Sequence, residues 1–336
     1  GLDYIESKRS AGKIEPLGPI DPLTSQTIME THRVVAMMGV EPIQEALRNN
    51  AQVILAGRAT DASIYSAIPL MKGCDPGLVW HLAKIIECAG QVVTPRTGQD
   101  CVIGTLRPDH FIVEPADPEK RCTRLRIAAH TLYENPNPYR LDEPDGTLVT
   151  VDSSYEQLDE RSVKVSGSRF EHSGRYTVKL EGVRFAGHRT VFFAGVRDPI
   201  LIPVIDTFID ACHERVRGEV AVLGIGADAY RLNVRIYGKT GTMGQRESHQ
   251  GALPHELGLL AEVLADDEET SKAVMAKVRY ALLHTDFPGR KCISGNLAIP
   301  FSPSDVSVGE SYEFNIWHVL ELEDPLEPFP IKYWEV

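Results

Sequence analysis

The chain contains no apolar run approaching the roughly 18 residues of a membrane span, and no charged-then-apolar leader opens it. It also lacks an excess of basic residues. Lys and Arg number 35 against 47 Asp and Glu, a net charge of −12. Nucleic acid and an anionic membrane surface are disfavoured as partners, because phosphate neutralisation needs a basic face. An anionic small molecule is still open, since one local Arg or Lys can hold it. The six cysteines (74, 88, 101, 122, 212 and 292) include no Cys-x-x-Cys pair. In a chain this long that pattern is neither a disulfide framework nor a zinc ribbon, and a reducing, cytoplasmic setting is expected. The Gly-rich stretches GIGAD (224–228) and GKTGTMG (238–244) lack the P-loop pattern and read as turns. Neither a Gly-x-Ser-x-Gly elbow nor a His-Glu-x-x-His pair occurs. Internal repeats and low-complexity tracts are missing too.

With 336 residues, 43% of them hydrophobic, the chain can bury a large core, and its length suggests about two domains. It begins with Gly rather than Met, and residues 1–23 show no clear first element, so a start inside a longer protein or a tag remnant is expected. Thr24 reads as the cap of a helix through Glu30, His32 and Met37. A second helix should run from Glu41 to about Asn49. Val53 to Ala56 suits a strand buried on both faces, closed by Gly57 and followed after Asp61 by a helix. Helix spacing continues over Leu78–Ala89, with Gly90 as its C-cap. Strands are expected at 101–106 and 110–114, then a strand turning into a helix over Arg121–Glu134.

The stretch 135–147, NPNPYRLDEPDGT, has three prolines and a glycine and reads as a linker. Beyond it, alternation predicts strands at 148–152, 162–166, 175–181, 189–194, 229–237, 257–264 and 312–322. Helices are expected at 200–217 and 268–285. The fold expected is α/β, with a parallel or mixed layered sheet in an N-terminal domain (1–134). An α+β, antiparallel-rich C-terminal domain (148–336) should follow.

Several residue groups could carry chemistry. A strand that ends at Gly57 and opens a helix through Arg58, Thr60 and Asp61 offers free N–H groups and a guanidinium to an anion. The plainer reading is that Asp61 caps the helix and pairs with Arg58. Arg197, in Arg197-Asp198-Pro199, repeats this junction. His81, Lys84 and Cys88 stand at i, i+3 and i+7 with Glu87 beside them, able to bind an anion or to act as acid and base, or simply to edge a buried helix. His130 precedes a proline-rigid turn. Asp206, Asp210, His213 and Glu214 form a stripe that could hold a divalent metal, although a solvated helix face commonly looks the same.

Seven segments in order carry a wider resemblance: MGVEPIQEAL, VILAGRATDASIYSA, HLAKIIECAGQ, DCVIGTLRPDHF, AAHTLYENPNPY, YTVKLEGVRFAGHRTVFFAGVRDP and SGNLAIPFSPSDVSVGESYEFNIWHVLELEDPLE. Together they resemble the acyclic terpene utilisation (AtuA-like) family. The resemblance implies a catabolic protein for branched or terpenoid acids, often working beside acyl-CoA enzymes and a small partner domain. It also implies a Gly-rich segment upstream, which this chain does not show. The N-terminal domain is therefore expected to lack its first strands.

The expectation is a catabolic lyase, hydratase or isomerase acting on a carboxylate or acyl-CoA. Arg58, Thr60, Arg197 and Lys84 would bind substrate, while Asp61, Glu87, His81 and His130 would supply acid and base. Such chemistry requires no cofactor, and none is predicted; a homo-oligomer is expected. The alternatives are a non-catalytic or scaffold subunit that completes a site with a partner, and a metal-dependent hydrolase built on the acidic stripe.

Overall fold

The computed structural model describes every residue except Gln99, Gln250, Ser294, Gly295 and Val336. Contacts divide the chain into two compact units, Gly1–Gly182 with Phe314–Val336, and Val183–Glu313. The division does not fall at 135–147. That stretch instead supplies the strand Arg140–Glu143, which pairs with Gly146–Val149 across a two-residue turn, Pro144-Asp145. Pro and Asp are suited to a turn, so the composition marked a hairpin rather than a linker.

In the first unit the chain opens with a helix, Leu2–Ser10, and a short strand, Ile14–Pro16, where no clear element was expected. Thr24 is the cap foreseen, its hydroxyl accepting from Thr27 N–H at 3.1 Å. The helix it starts stops at Glu30, and Thr31–Ala36 is a strand pairing with Tyr176–Val196. The β-branched residues Thr31, Val34 and Val35 favour that pairing over further helix. Glu41–Arg48 is helical as expected. Helix Pro76–Ile86 starts on Asp75, whose carboxylate accepts from Leu78 N–H at 3.0 Å, with Pro76 in the first turn. Seven consecutive residues of it, Gly77–Ala83, are buried. It ends at Glu87 rather than at Gly90, which lies in a 3-10 turn.

The sheets of this unit correct the expected parallel or mixed arrangement. Val102–Leu106, His110–Pro115, Val163–Ser166 and Ser154–Gln157 form an antiparallel sheet. Arg140–Glu143, Gly146–Val149 and Arg169–His172 form another. Val53–Ala56 is not a strand, and Val53 and Leu55 are 87% and 100% exposed. A buried parallel strand needs neighbours on both edges. Here the backbone makes one isolated parallel bridge, Met38 with Ala59. Apolar content alone could not distinguish a run with sheet neighbours from one without them. Arg121–Cys122 is a strand and Arg124–His130 a helix capped by Thr123, so RLRI (124–127) lies wholly in the helix.

In the second unit, strands Tyr230–Tyr237 and Leu257–Ala265 pair antiparallel, and Leu257–Ala265 pairs with the His188–Val196 part of Tyr176–Val196. Helices Ile205–Ala221 and Glu268–His284 cover one face, and their apolar stripes share a core with Phe192, Leu259 and Val263. Tyr176–Val196 is one strand where two were expected, and Asp305–Leu322 starts earlier than read. No helix among the described residues is long and apolar enough to cross a membrane.

Candidate functional site

The junction from Gly57 to Asp61 is a surface feature. Arg58 Nη1 donates to Asp61 Oδ1 at 2.7 Å, and both side chains are about half exposed. Helix Ser63–Met71 starts on Ala62 with no side-chain cap, so Asp61 pairs without capping. Such a pair contributes at most about 1 kcal/mol. The Thr60 hydroxyl is in close contact with that of Ser63. Arg197 belongs to the second unit and is exposed. Of the acidic stripe, Asp206 pairs with Lys239 and Glu214 with Arg217. Among the described residues no group of three His, Cys, Asp or Glu side chains could hold a metal ion.

His81 separates from the other residues of its helix. Fully buried, it shares a hydrogen bond of 2.6 Å between Nδ1 and Ser168 Oγ. The rings of Phe111 and Tyr155 meet it edge-on. Burial, with a smaller contribution from His130, pushes its pKa down to about 3. It is neutral throughout the physiological range and holds the helix against Ser168. The sign of its pH effect follows. Below the ordinary value of 6.5 the unfolded chain takes up a proton that the native chain refuses, so stability falls as pH drops from 6.5 towards about 3. One such group contributes a slope of up to about 1.4 kcal/mol per pH unit. Urea unfolding across that window should show a shallower slope in His81→Gln than in the wild type. Equal slopes would mean that His81 does not control acid stability.

Lys84, Glu87, Cys88 and His130 do come together. Lys84 Nζ donates to Glu87 Oε1 at 2.7 Å, with side-chain exposures of only 14% and 7%. The Cys88 thiol donates to Glu87 Oε2 at 2.7 Å. Burial, then the bond to Glu87, raises that thiol to about 11, so Cys88 is a donor and not a thiolate nucleophile. His130, 4% exposed, has Nε2 at 3.0 Å from the Lys84 carbonyl oxygen. A carbonyl only accepts, so Nε2 carries the proton and Nδ1 keeps the lone pair. Burial lowers the His130 pKa, which keeps that lone pair free at neutral pH. Tyr133 stacks on His130 at 5.7 Å, and Lys84 Nζ lies 5.7 Å from the Tyr133 ring centre.

Sequence reasoning missed two parts of this region. One is Glu143, the last residue before the hairpin turn, whose carboxyl feels the Thr60 hydroxyl and the Lys84 ammonium. The other is a cavity of about 50 Å³ lined in part by Glu41, Leu70, Trp80, Pro144, Asp145 and Phe170. Trp80 stacks on Phe170 at 5.9 Å. It precedes Lys84 by four residues, so cavity and ion pair follow one another along one helix face. The available signal was Leu141 and Glu143 at strand spacing, which puts both on one face; the prolines of that stretch obscured it.

The region brings together a carboxylate fixed by an ammonium, a neutral imidazole whose Nδ1 keeps its lone pair, and a second carboxyl. Residues 4–98 match the family model of the acyclic terpene utilisation family protein AtuA. The family resemblance read from the sequence is thus shown over this stretch, which includes Thr60, Lys84, Glu87 and Cys88. No curated protein and no solved structure matches the chain.

Proposed function

We propose that this chain acts in the catabolism of acyclic terpenoids, on a branched carboxylate or its acyl-CoA thioester, by acid–base chemistry of the lyase, hydratase or isomerase type. The AtuA match over residues 4–98 supports the metabolic context. The observation that carries the chemistry is the shielded Lys84–Glu87 pair beside the neutral His130. A substrate carbonyl seated near Lys84 would be polarised by the ammonium, and either Glu87 or His130 Nδ1 could take the proton from the adjacent carbon. The six free cysteines fit a cytoplasmic setting.

Arg58 and Asp61, which occupy each other, serve this reading less well than Lys84. Arg197 stays a candidate anion holder as an exposed guanidinium.

The test is exchange of the carbon-bound proton next to the carbonyl of a branched acyl-CoA thioester in deuterated water, followed by NMR. The wild type should catalyse exchange. Glu87→Gln and His130→Gln together should reduce it by about 10²-fold or more. Absence of exchange by the wild type, or full exchange by the double variant, would overturn the assignment.

A further inference from the structure

We propose that Glu143 is the protonated carboxyl of this site and its proton donor, complementing the Lys84-clamped carboxylate of Glu87. The inference rests on the acid–base reading above. Its first support is position. Leu141, two residues back on the same strand face, is buried in one apolar cluster with Trp80 and Ala83. That places Glu143 beside the helix carrying Lys84, and the next two residues, Pro144 and Asp145, line the cavity with Trp80.

The second support is an oxygen with nothing to bind. Glu143 Oε2 is fully shielded and has no hydrogen-bond partner among the described residues. A carboxylate wants donors at both oxygens, and burying a charged one without them is costly, whereas a protonated carboxyl can leave one oxygen unfilled at less cost. The Thr60 hydroxyl and the Lys84 charge favour ionisation, while Asp61 and Asp142 oppose it. Burial outweighs them all and raises the group from 4.5 to about 8. Glu87 shares the same ammonium but sits in direct contact with it. Two carboxyls near one cation, one ionised and one protonated, are a division into base and acid.

The proton count closes. Glu87 or His130 takes the carbon-bound proton, the C–H electron pair becomes the new C=C π bond, and the C=O π pair moves onto the carbonyl oxygen. That oxygen takes the proton of Glu143 and an enol forms. Reprotonation at carbon by the base returns the O–H proton to Glu143, so isomerisation needs no other reactant.

The test is a carbon-13 NMR titration of glutamate carboxyls in the whole chain. One carboxyl should titrate near 8, and Glu143→Gln should remove that signal. Thr60→Val, which deletes the hydroxyl favouring the ionised form, should move the midpoint further up and serves even if Glu143→Gln does not fold. The native chain holds this extra proton between 4.5 and about 8. Wild-type stability relative to Glu143→Gln should therefore fall as pH rises through that window. In the exchange assay the wild-type rate should fall above a pH of about 8 as Glu143 loses its proton, and Glu143→Gln should cost about 10²-fold and remove that fall. If every carboxyl titrates in the ordinary range near about 4.3, the proposal fails. A wild type without exchange activity would instead sink the acid–base reading, and the titration would still decide whether Glu143 holds a proton.

Discussion

Replacing Lys84 by Met is expected to destabilise the first unit by about 3–5 kcal/mol, the cost of leaving one member of a shielded ion pair uncompensated. The Glu87 side chain is 7% exposed, so water cannot replace the ammonium 2.7 Å away. The Cys88 thiol would be the donor left to it, and a thiol is weak. Met keeps the length and apolar stem of Lys, so lost packing contributes little beyond the contact with the Tyr133 ring. The decisive comparison is the double variant Lys84→Met/Glu87→Gln. With both charges gone it should recover most of the loss, because a buried pair contributes little over neutral groups of similar shape. Denaturant unfolding of the four proteins closes the cycle. A single variant within about 1 kcal/mol of the wild type would make Lys84–Glu87 a solvated surface pair. It would also remove the ground for separating Glu87 from Glu143.

How much of this was legible in the sequence depended on whether the signal was local. Thr24, the one cap read from the sequence, does cap its helix through its own side chain, since a cap needs only the next three residues; Asp75, Thr123 and Asp267 cap theirs in the same way without having been singled out. The alternation of 229–237 shows directly in Tyr230–Tyr237, since one face meets the core and the other solvent. Lys84 and Glu87, three apart on a helix, were readable as neighbours for the same reason.

Other features needed partners far along the chain. Val53–Ala56 has the apolar content of a buried strand, and only its lack of sheet neighbours decides otherwise. His81 was grouped with Lys84 and Cys88 by spacing, yet a hydroxyl 87 positions away, on Ser168, fixes its surroundings. Glu143 has only strand spacing from Leu141 as a local mark, and the prolines around it hide the strand. Its significance comes from one carboxyl oxygen, on a half-buried side chain, that is shielded beside a helix some 60 residues upstream, and nothing in LDEPDG announces that shielding.

Gly77→Ala is expected to have the second large effect, and by a different route. Gly77 is in the first turn of helix Pro76–Ile86 and needs no unusual backbone angle there. Its requirement is space. A Cβ at this position would lie 2.5 Å from the Ser168 carbonyl oxygen and 2.6 Å from Arg169 Cα. Both are backbone atoms, so no side chain can swing aside, and either the helix or the Arg169–His172 strand must shift. Overpacking of this kind costs about 1–3 kcal/mol, a fall in melting temperature of roughly 2–12 °C for a unit this size. Gly98→Ala, where nothing lies within 4 Å, should melt with the wild type and is the control. The displacement should also reach the site, because the same helix carries His81, Trp80 and Lys84. Ser168 would move from His81 Nδ1, and the acid dependence set by His81 should weaken in parallel with the loss of stability. A Gly77→Ala chain that melts with the wild type, its acid slope unchanged, would show that helix and strand are not in the close contact on which the placement of Lys84 depends.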